Sequence, residues 1–372
     1  MNNYLNITPS QLNENNGYWT AKEICQQPDT WGKVADIVQG QKSDIDAWLA
    51  PILAKKELRI ILTGAGTSAY VGETIAPSLT QTMGRPIEAI STTDLVGNPQ
   101  QYLLKNVPTL LISYARSGNS PESVAALKIA SQLVNDCFHL IITCNENGEL
   151  ALLSKSSGSF CLLMPKETLD QSFAMTSSFT SMMISTLLIL SPDHEQLNRA
   201  ITATRYLLTN HLDDIYNQAQ IPFNRIAFLG SGSLNGIATE AALKMLELTA
   251  GEIDCHAETP LGFRHGPKSM VNEQTMLILL ESNHPYSKKY DRDLAAELVK
   301  DQKTLHIYTL NIEKLFNKIQ LEDVWLSLPY MVYCQILSFY KSLALNITPD
   351  NPCPSGEVNR VVQGVTIHTF ED

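Results

Sequence analysis

Short apolar runs ending in glycine turns, each followed by a segment of helical spacing, recur along the chain. Residues 59–66 read RIILTGAG and residues 225–232 read RIAFLGSG; the segments AYVGETIAPSL and NGIATEAALKMLEL follow them. The parallel continues: VPTLLISY (107–114) matches TMLILLES (275–282), FHLIITCN (138–145) matches LHIYTLNI (305–312), and SFCLLMP (159–165) matches VWLSLP (324–329). Each half closes on a long helical pattern, Phe173–Leu190 and Pro329–Leu345. Apolar strands alternating with helices predict βαβ units, with a parallel sheet covered on both faces.

The duplication therefore predicts an α/β protein with two tandem doubly wound parallel-sheet domains, at 51–205 and 215–348. Residues 1–50 read as an N-terminal helical extension, with TAKEI and WGKVADIVQGQ as its helical pieces. Pro349 to Gly356, with three prolines and one glycine, leads into a C-terminal tail at 349–372.

In open parallel sheets, ligands sit beyond the carboxyl ends of strands, where helix N-termini favour anions. Two such ends in the first half carry hydroxyls: Gly64-Ala65-Gly66-Thr67-Ser68 and the run Ser113 to Ser120, with Arg116, Ser117 and Ser120 in it. Thr67, Ser68, Ser117 and Ser120 can donate to phosphate oxygens, and Arg116 can add charge. Taken singly, each hydroxyl also suits an ordinary helix cap. The occurrence of both segments at neighbouring strand ends favours phosphate. Position 69 is Ala, so neither a dinucleotide fingerprint nor a Walker loop is present. In the second half Leu234 stands where the first has Ser68, and ESNHPYSKKY has no Ser-Gly-x-Ser, which predicts one phosphate site per chain.

Acid–base candidates lie in the second half. Glu240, Lys244 and Glu247 fall on one helix face. By spacing alone, Glu240 and Lys244 read as an exposed ion pair worth about 0.3–0.5 kcal/mol, whereas Glu247, between Leu246 and Leu248, reads as partly buried. His265 sits in a Gly/Pro-rich loop, Thr259 to Pro267. A carboxylate and a histidine suffice to open a sugar ring and move a proton from C2 to C1. A loop histidine on its own is as readily a solvated side chain. His256 and His265 lie far apart with no metal-binding spacing, and no metal is expected.

Composition narrows the partners. The chain of 372 residues is 44% apolar with a net charge of −11, which argues against a nucleic-acid partner but not against an anionic small ligand. Seven scattered cysteines without a CxxC pair suit reduced thiols. The start, MNNYLNITPS, has no signal-peptide character, and Met182 to Leu190 is too short to span a membrane. A cytoplasmic protein is expected.

GAGTS, SYARSGNSPES, LKMLELTAGE and GFRHGPKS resemble the sugar isomerase (SIS) superfamily, which includes the isomerase half of glucosamine-6-phosphate synthase. Within it, ITCNENG, FAMTSSFT, HPYSKKYDRDL and SGEVNRVVQG resemble the bacterial galactosamine-6-phosphate deaminase/isomerases, earlier labelled tagatose-6-phosphate ketose/aldose isomerases. The resemblance runs from Trp19 to His368.

It implies a phosphate cradle of Thr67, Ser68, Arg116, Ser117 and Ser120. It makes Glu247 the base between C2 and C1, with Lys244 beside it, and His265 the ring-opening group contributed by the adjacent subunit of a homodimer or higher homo-oligomer. Ala174, Met175 and Thr176 would line the sugar.

Two positions depart from the synthase: Ala115 replaces a loop serine, and Gln363 replaces the lysine that forms a Schiff base with fructose 6-phosphate. The chain also has no glutaminase domain and no N-terminal nucleophilic cysteine. The resemblance thus implies a deaminase converting galactosamine 6-phosphate to tagatose 6-phosphate and ammonia, with no cofactor. A ketose/aldose isomerase, a glucosamine-6-phosphate deaminase and a non-catalytic sugar-phosphate sensor are the alternatives. The absence of an effector domain and the presence of both Glu247 and His265 speak against the sensor.

Overall fold

A computed structural model describes residues 3–155, 158–317, 319–362 and 364–371. Gln363, contrasted above with the synthase lysine, lies outside the described residues. The chain divides into two compact units whose segments interleave. One comprises Thr30–Asp170, Ser177–Pro192 and the tail from Gly356; the other comprises the N-terminal stretch to Asp29, Gln171–Thr176 and Asp193–Ser355.

The first of these units holds β1 (Arg59–Thr63), β2 (Ile87–Ala89), β3 (Thr109–Ala115), β4 (Cys137–Thr143) and β5 (Ser159–Leu163). They form one all-parallel sheet in the order β2-β1-β3-β4-β5. Every residue of β3 is buried, as a central parallel strand covered on both faces must be. Ile61 and Leu111 pack with Ala126, Ile129 and Ala130 of the Pro121–Leu133 helix. On the Ser177–Leu190 helix even the hydroxyls are buried, and most find partners: Trp31 Nε1 donates to Thr180 Oγ1 at 2.9 Å, and Thr186 Oγ1 donates to the Tyr114 hydroxyl at 3.0 Å, whereas Ser181 Oγ has none among the described residues.

The second unit repeats the plan with one strand fewer. β6 (Arg225–Leu229), β7 (Asp254–Glu258), β8 (Thr275–Leu280) and β9 (His306–Leu310) form a parallel sheet ordered β7-β6-β8-β9. VWLSLP, expected as the strand matching SFCLLMP, is instead helical, within Asp323–Ala344, and Pro329 lies inside that helix rather than at its start. Burial continues unbroken from Val324 to Ser342, through the polar Ser327 and Gln335 as well, and a run of that length is helix, not strand. Two strands escaped the sequence reading. β2 has only three residues, and β7 is the polar-looking edge run DCHAE. No described helix is long and apolar enough to cross a membrane.

Candidate active site

In the first unit β1 and β3 are neighbours in register, Thr63 opposite Ser113, and β2 lies on the far side of β1. The connections leave in opposite directions here, so a crevice opens beyond the carboxyl ends of β1 and β3. Both hydroxyl-bearing turns emerge there. After β1 the chain turns through Gly64-Ala65-Gly66 into the Thr67–Met83 helix. Gly66 has φ +54° and ψ −130°, a region L-residues avoid. At Gly64 a Cβ would lie 2.5 Å from the Ser68 backbone. These constraints set Thr67 and Ser68, each 5% exposed, in the first turn of a long helix, whose positive end favours an anion.

After β3 come Arg116 and Ser117, a turn at Gly118 with φ +67°, and Ser120 at the start of the Pro121–Leu133 helix. The segment after β4 braces this turn: Asn145 Nδ2 donates to the Ser117 carbonyl at 2.8 Å, and the Leu150 amide donates to the Gly118 carbonyl at 3.0 Å. The capping alternative for these hydroxyls is not what the geometry shows. Gly66, not a hydroxyl residue, is the N-cap of the first helix; Ser120 is the N-cap of the second but makes no side-chain cap bond. Arg116 is buried and donates through Nη2 to the Arg360 carbonyl at 2.6 Å, while the Arg360 guanidinium donates to the Asp170 carbonyl. The C-terminal tail is therefore tied to the residue that follows β3.

The acid–base candidates lie in the second unit. Glu240, Lys244 and Glu247 share one face of the Ser233–Leu248 helix, but Glu240 and Lys244 form no exposed pair: the side chains of both are 0% exposed. This corrects the expectation from spacing. That helix packs against β6, β7 and the long Asp323–Ala344 helix, and the covered face includes this charged row. Lys244 Nζ lies 3.5 Å from a Glu240 oxygen and donates to Glu247 Oε2. A buried ammonium demands such compensation, since its desolvation costs several kcal/mol. Glu247, with its side chain 23% exposed, is the one member that reaches solvent. The result is a partly open carboxylate held in place by a buried cation.

His265 is exposed on the loop after the Pro260–Phe263 turn, whose N-cap Thr259 accepts from the Gly262 amide at 3.0 Å. Phe263 is buried among Leu277, Leu279 and Leu294 and anchors the loop. The expected sugar-lining residues fall in the short stretch Gln171–Thr176 of the same unit. Ala174 and Thr176 are fully buried and Met175 half-buried, so Met175 alone of the three offers substantial side-chain surface.

One feature of the second unit escaped the sequence reading. At its β6/β8 switch point, where the repeat would place a second phosphate, Asp291 accepts from the Ser282 amide at 2.8 Å and from Ser231 Oγ at 3.4 Å. Burial pushes its carboxyl up to about 6. Ser231 in the Gly-Ser-Gly turn was the only local signal, because Asp291 comes from a helix far along the chain. Among the described residues no group of three or more His, Cys, Asp or Glu is arranged to hold a metal.

Two parallel sheets of one topology, one with a hydroxyl-lined switch point and the other with a buried charged row on its helix, define a duplicated α/β fold. The SIS domain family model matches residues 52–192 and 221–314, and the chain belongs to the SIS family. D-galactosamine-6-phosphate deaminase AgaS of Shewanella sp. (strain ANA-3) is 52% identical over 368 residues, covering 98% of this chain and 95% of that protein. The Escherichia coli protein of the same name is 44% identical over 373 residues, covering 95% of this chain and 97% of its own. The crystal structure of tagatose-6-phosphate ketose/aldose isomerase from Escherichia coli superposes with a TM-score of 0.90 at 40% identity, with both chains covered completely.

Proposed function

We propose that this protein is a D-galactosamine-6-phosphate deaminase that yields D-tagatose 6-phosphate and ammonia, working in the cytoplasm as a homodimer with shared active sites. The observation that carries the reading is the full-length likeness to the Shewanella deaminase, at 52% identity over 98% of the chain. The chemistry of the site agrees with it.

In this reading the phosphate is held by Thr67, Ser68, Ser117 and Ser120, with Arg116 adding charge. His265 opens the sugar ring by moving a proton between the C1 hydroxyl and the ring oxygen. Glu247, steadied by Lys244, removes the C2 proton, leaving an enolamine. Returned to C1, that proton gives a C2 imine. Water adds to the imine and ammonia departs, leaving the ketose phosphate. Each step moves a proton between oxygen, nitrogen and carbon, which a carboxylate and an imidazole can do. Ala174 to Thr176 would border the sugar, chiefly through Met175.

The isomerase name of the Escherichia coli structure supports a second reading, aldose–ketose interconversion of tagatose 6-phosphate by the same proton shuttle. Ammonia release separates the two. Galactosamine 6-phosphate should give ammonia and tagatose 6-phosphate in equal amounts, faster than glucosamine 6-phosphate, and the N-acetylated sugar should give none. Conversion of tagatose 6-phosphate with no ammonia from any hexosamine phosphate would establish the isomerase instead.

A further inference from the structure

The loop that carries His265 has a feature that neither the repeat nor the resemblance explains. Arg264, immediately before the histidine, donates from Nε to Glu297 Oε2 at 2.8 Å. Lys268, on the far side of the Gly266-Pro267 turn, donates to the other oxygen, Glu297 Oε1. Lys268 Nζ also lies 2.6 Å from Asp301 Oδ2, one helical turn further along the Ser287–Asp301 helix. A single carboxylate therefore grips the loop on both sides of His265, one cation to each oxygen. Inside this grip Phe263 is fixed in the core and Gly266 turns at φ +131°, leaving His265 exposed.

The electrostatics match the geometry. Lys268 and Arg264 hold the Glu297 carboxyl below the usual carboxylate range. Isolated exposed ion pairs contribute little stability, ~0–1 kcal/mol. Two cations from one loop converging on one carboxylate instead limit where the loop can go. An imidazole displaced by about 1 Å from its working position can lower turnover by an order of magnitude or more.

We propose that Glu297 is a positioning residue for this enzyme: by gripping Arg264 and Lys268 it fixes where His265 is presented to the substrate. This inference rests on His265 acting in ring opening. Glu297→Gln should lower kcat about tenfold and leave KM within about twofold, since the group placed acts in the chemical step. Because Glu297 acts through His265, the double variant His265→Ala/Glu297→Gln should turn over no slower than His265→Ala. Arg264→Met/Lys268→Met, which opens the same grip from the loop side, should reproduce the kcat loss and keeps the test available if Glu297→Gln folds poorly.

A wild-type kcat in Glu297→Gln beside a slow His265→Ala would overturn the inference and leave the role of His265 standing. Additive losses in the double variant would also overturn it, by showing a general structural effect. A His265→Ala enzyme at the wild-type rate would remove the underlying reading itself, and the inference with it.

Discussion

Ser68 and Leu234 occupy the same place in two copies of one turn. Ser68 crowds Gly64 so closely that a Cβ there would sit 2.5 Å from its backbone, and Leu234 crowds Gly230 at 2.3 Å. The glycines that open the two helices match as well, Gly66 at φ +54° and Gly232 at φ +58°. The duplication has kept the backbone and exchanged the chemistry. One copy presents a hydroxyl where an anion would sit. In the other copy Asp291 supplies an anion of the protein's own at the switch point, held by Ser282 and Ser231.

If the Ser68 and Ser117 hydroxyls bind phosphate, deleting either removes a hydrogen bond to a charged group, worth about 1.5–3 kcal/mol. Ser68→Ala and Ser117→Ala should therefore each raise KM roughly tenfold to a hundredfold. Neither hydroxyl makes a helix N-cap bond; among the described residues Ser117 Oγ accepts only from the nearby Asn119 amide, at 3.2 Å, so the Ser117→Ala melting temperature should fall by no more than a few degrees. Steady-state kinetics beside thermal melts separates the two effects. A lowered melting temperature with unchanged KM would return both hydroxyls to a structural role.

The repeat made four of the five first-sheet strands, three of the four second-sheet strands and the placement of Ser68 and Ser117 legible from sequence. Local pattern carries that information, because parallel strands are buried on both faces and glycine turns mark their ends. VWLSLP failed because a short apolar run has no periodicity of its own; only its place in the long buried stretch Val324–Ser342 identifies it as helix. Glu240 and Lys244 failed for the opposite reason. Their spacing fits an exposed pair and a buried one equally, and which obtains is set by elements packed on the helix from elsewhere in the chain. Asp291 and Glu297 were invisible for the same cause, since each acts on a loop remote in sequence.

Removing the buried cation tests the charged row. Lys244→Met leaves Glu240 and Glu247 without the ammonium that both now face, and breaking a buried pair in this way costs about 3–5 kcal/mol. Urea denaturation should show a loss of that order, with activity lost as well. Glu247→Gln should behave differently. The amide keeps the shape and can still accept from Lys244, so stability should hold while exchange of the substrate's C2 proton with solvent stops. NMR in deuterated water reads that exchange directly, and exchange at the wild-type rate would remove Glu247 from the role of base.

His139 gives a pH dependence of known sign. Burial lowers its imidazole to about 4, against an ordinary value near 6.5. Between those values the unfolded chain takes up a proton that the folded one refuses, so stability falls as pH drops from 6.5 towards 4 and is unaffected by this group above. At ~1.4 kcal/mol per pH unit the loss approaches about 3 kcal/mol near pH 4. Asp291 opposes this: its carboxyl is raised to about 6, so its stabilising effect is lost as pH rises from 3.8 towards 6. The raw pH curve mixes the two, and the comparison must be made between variants. Wild type minus His139→Gln should lose about 2–3 kcal/mol of unfolding free energy between pH 7 and pH 4.5. A difference that stays constant over that range would show His139 titrating normally.

The proposal of a shared active site can be tested by restoring activity from two crippled proteins. His265 is exposed on a loop gripped through Glu297, and Leu261 on the same loop is an exposed apolar side chain. A two-fold interface at this loop would bury Leu261 and present each His265 to the other chain, since isologous contacts are reciprocal. With the roles proposed above, Glu247→Gln would lack the base and His265→Ala the ring-opening group, so each homodimer should turn over far more slowly than wild type. In a hybrid dimer the sites are no longer alike. One combines the intact Glu247 of the His265→Ala chain with the intact His265 of the Glu247→Gln chain, and the other carries both lesions. Differently tagged chains, exchanged and purified through both tags, should recover up to about half the wild-type rate per dimer. Verified hybrids without activity would show that each chain uses its own histidine.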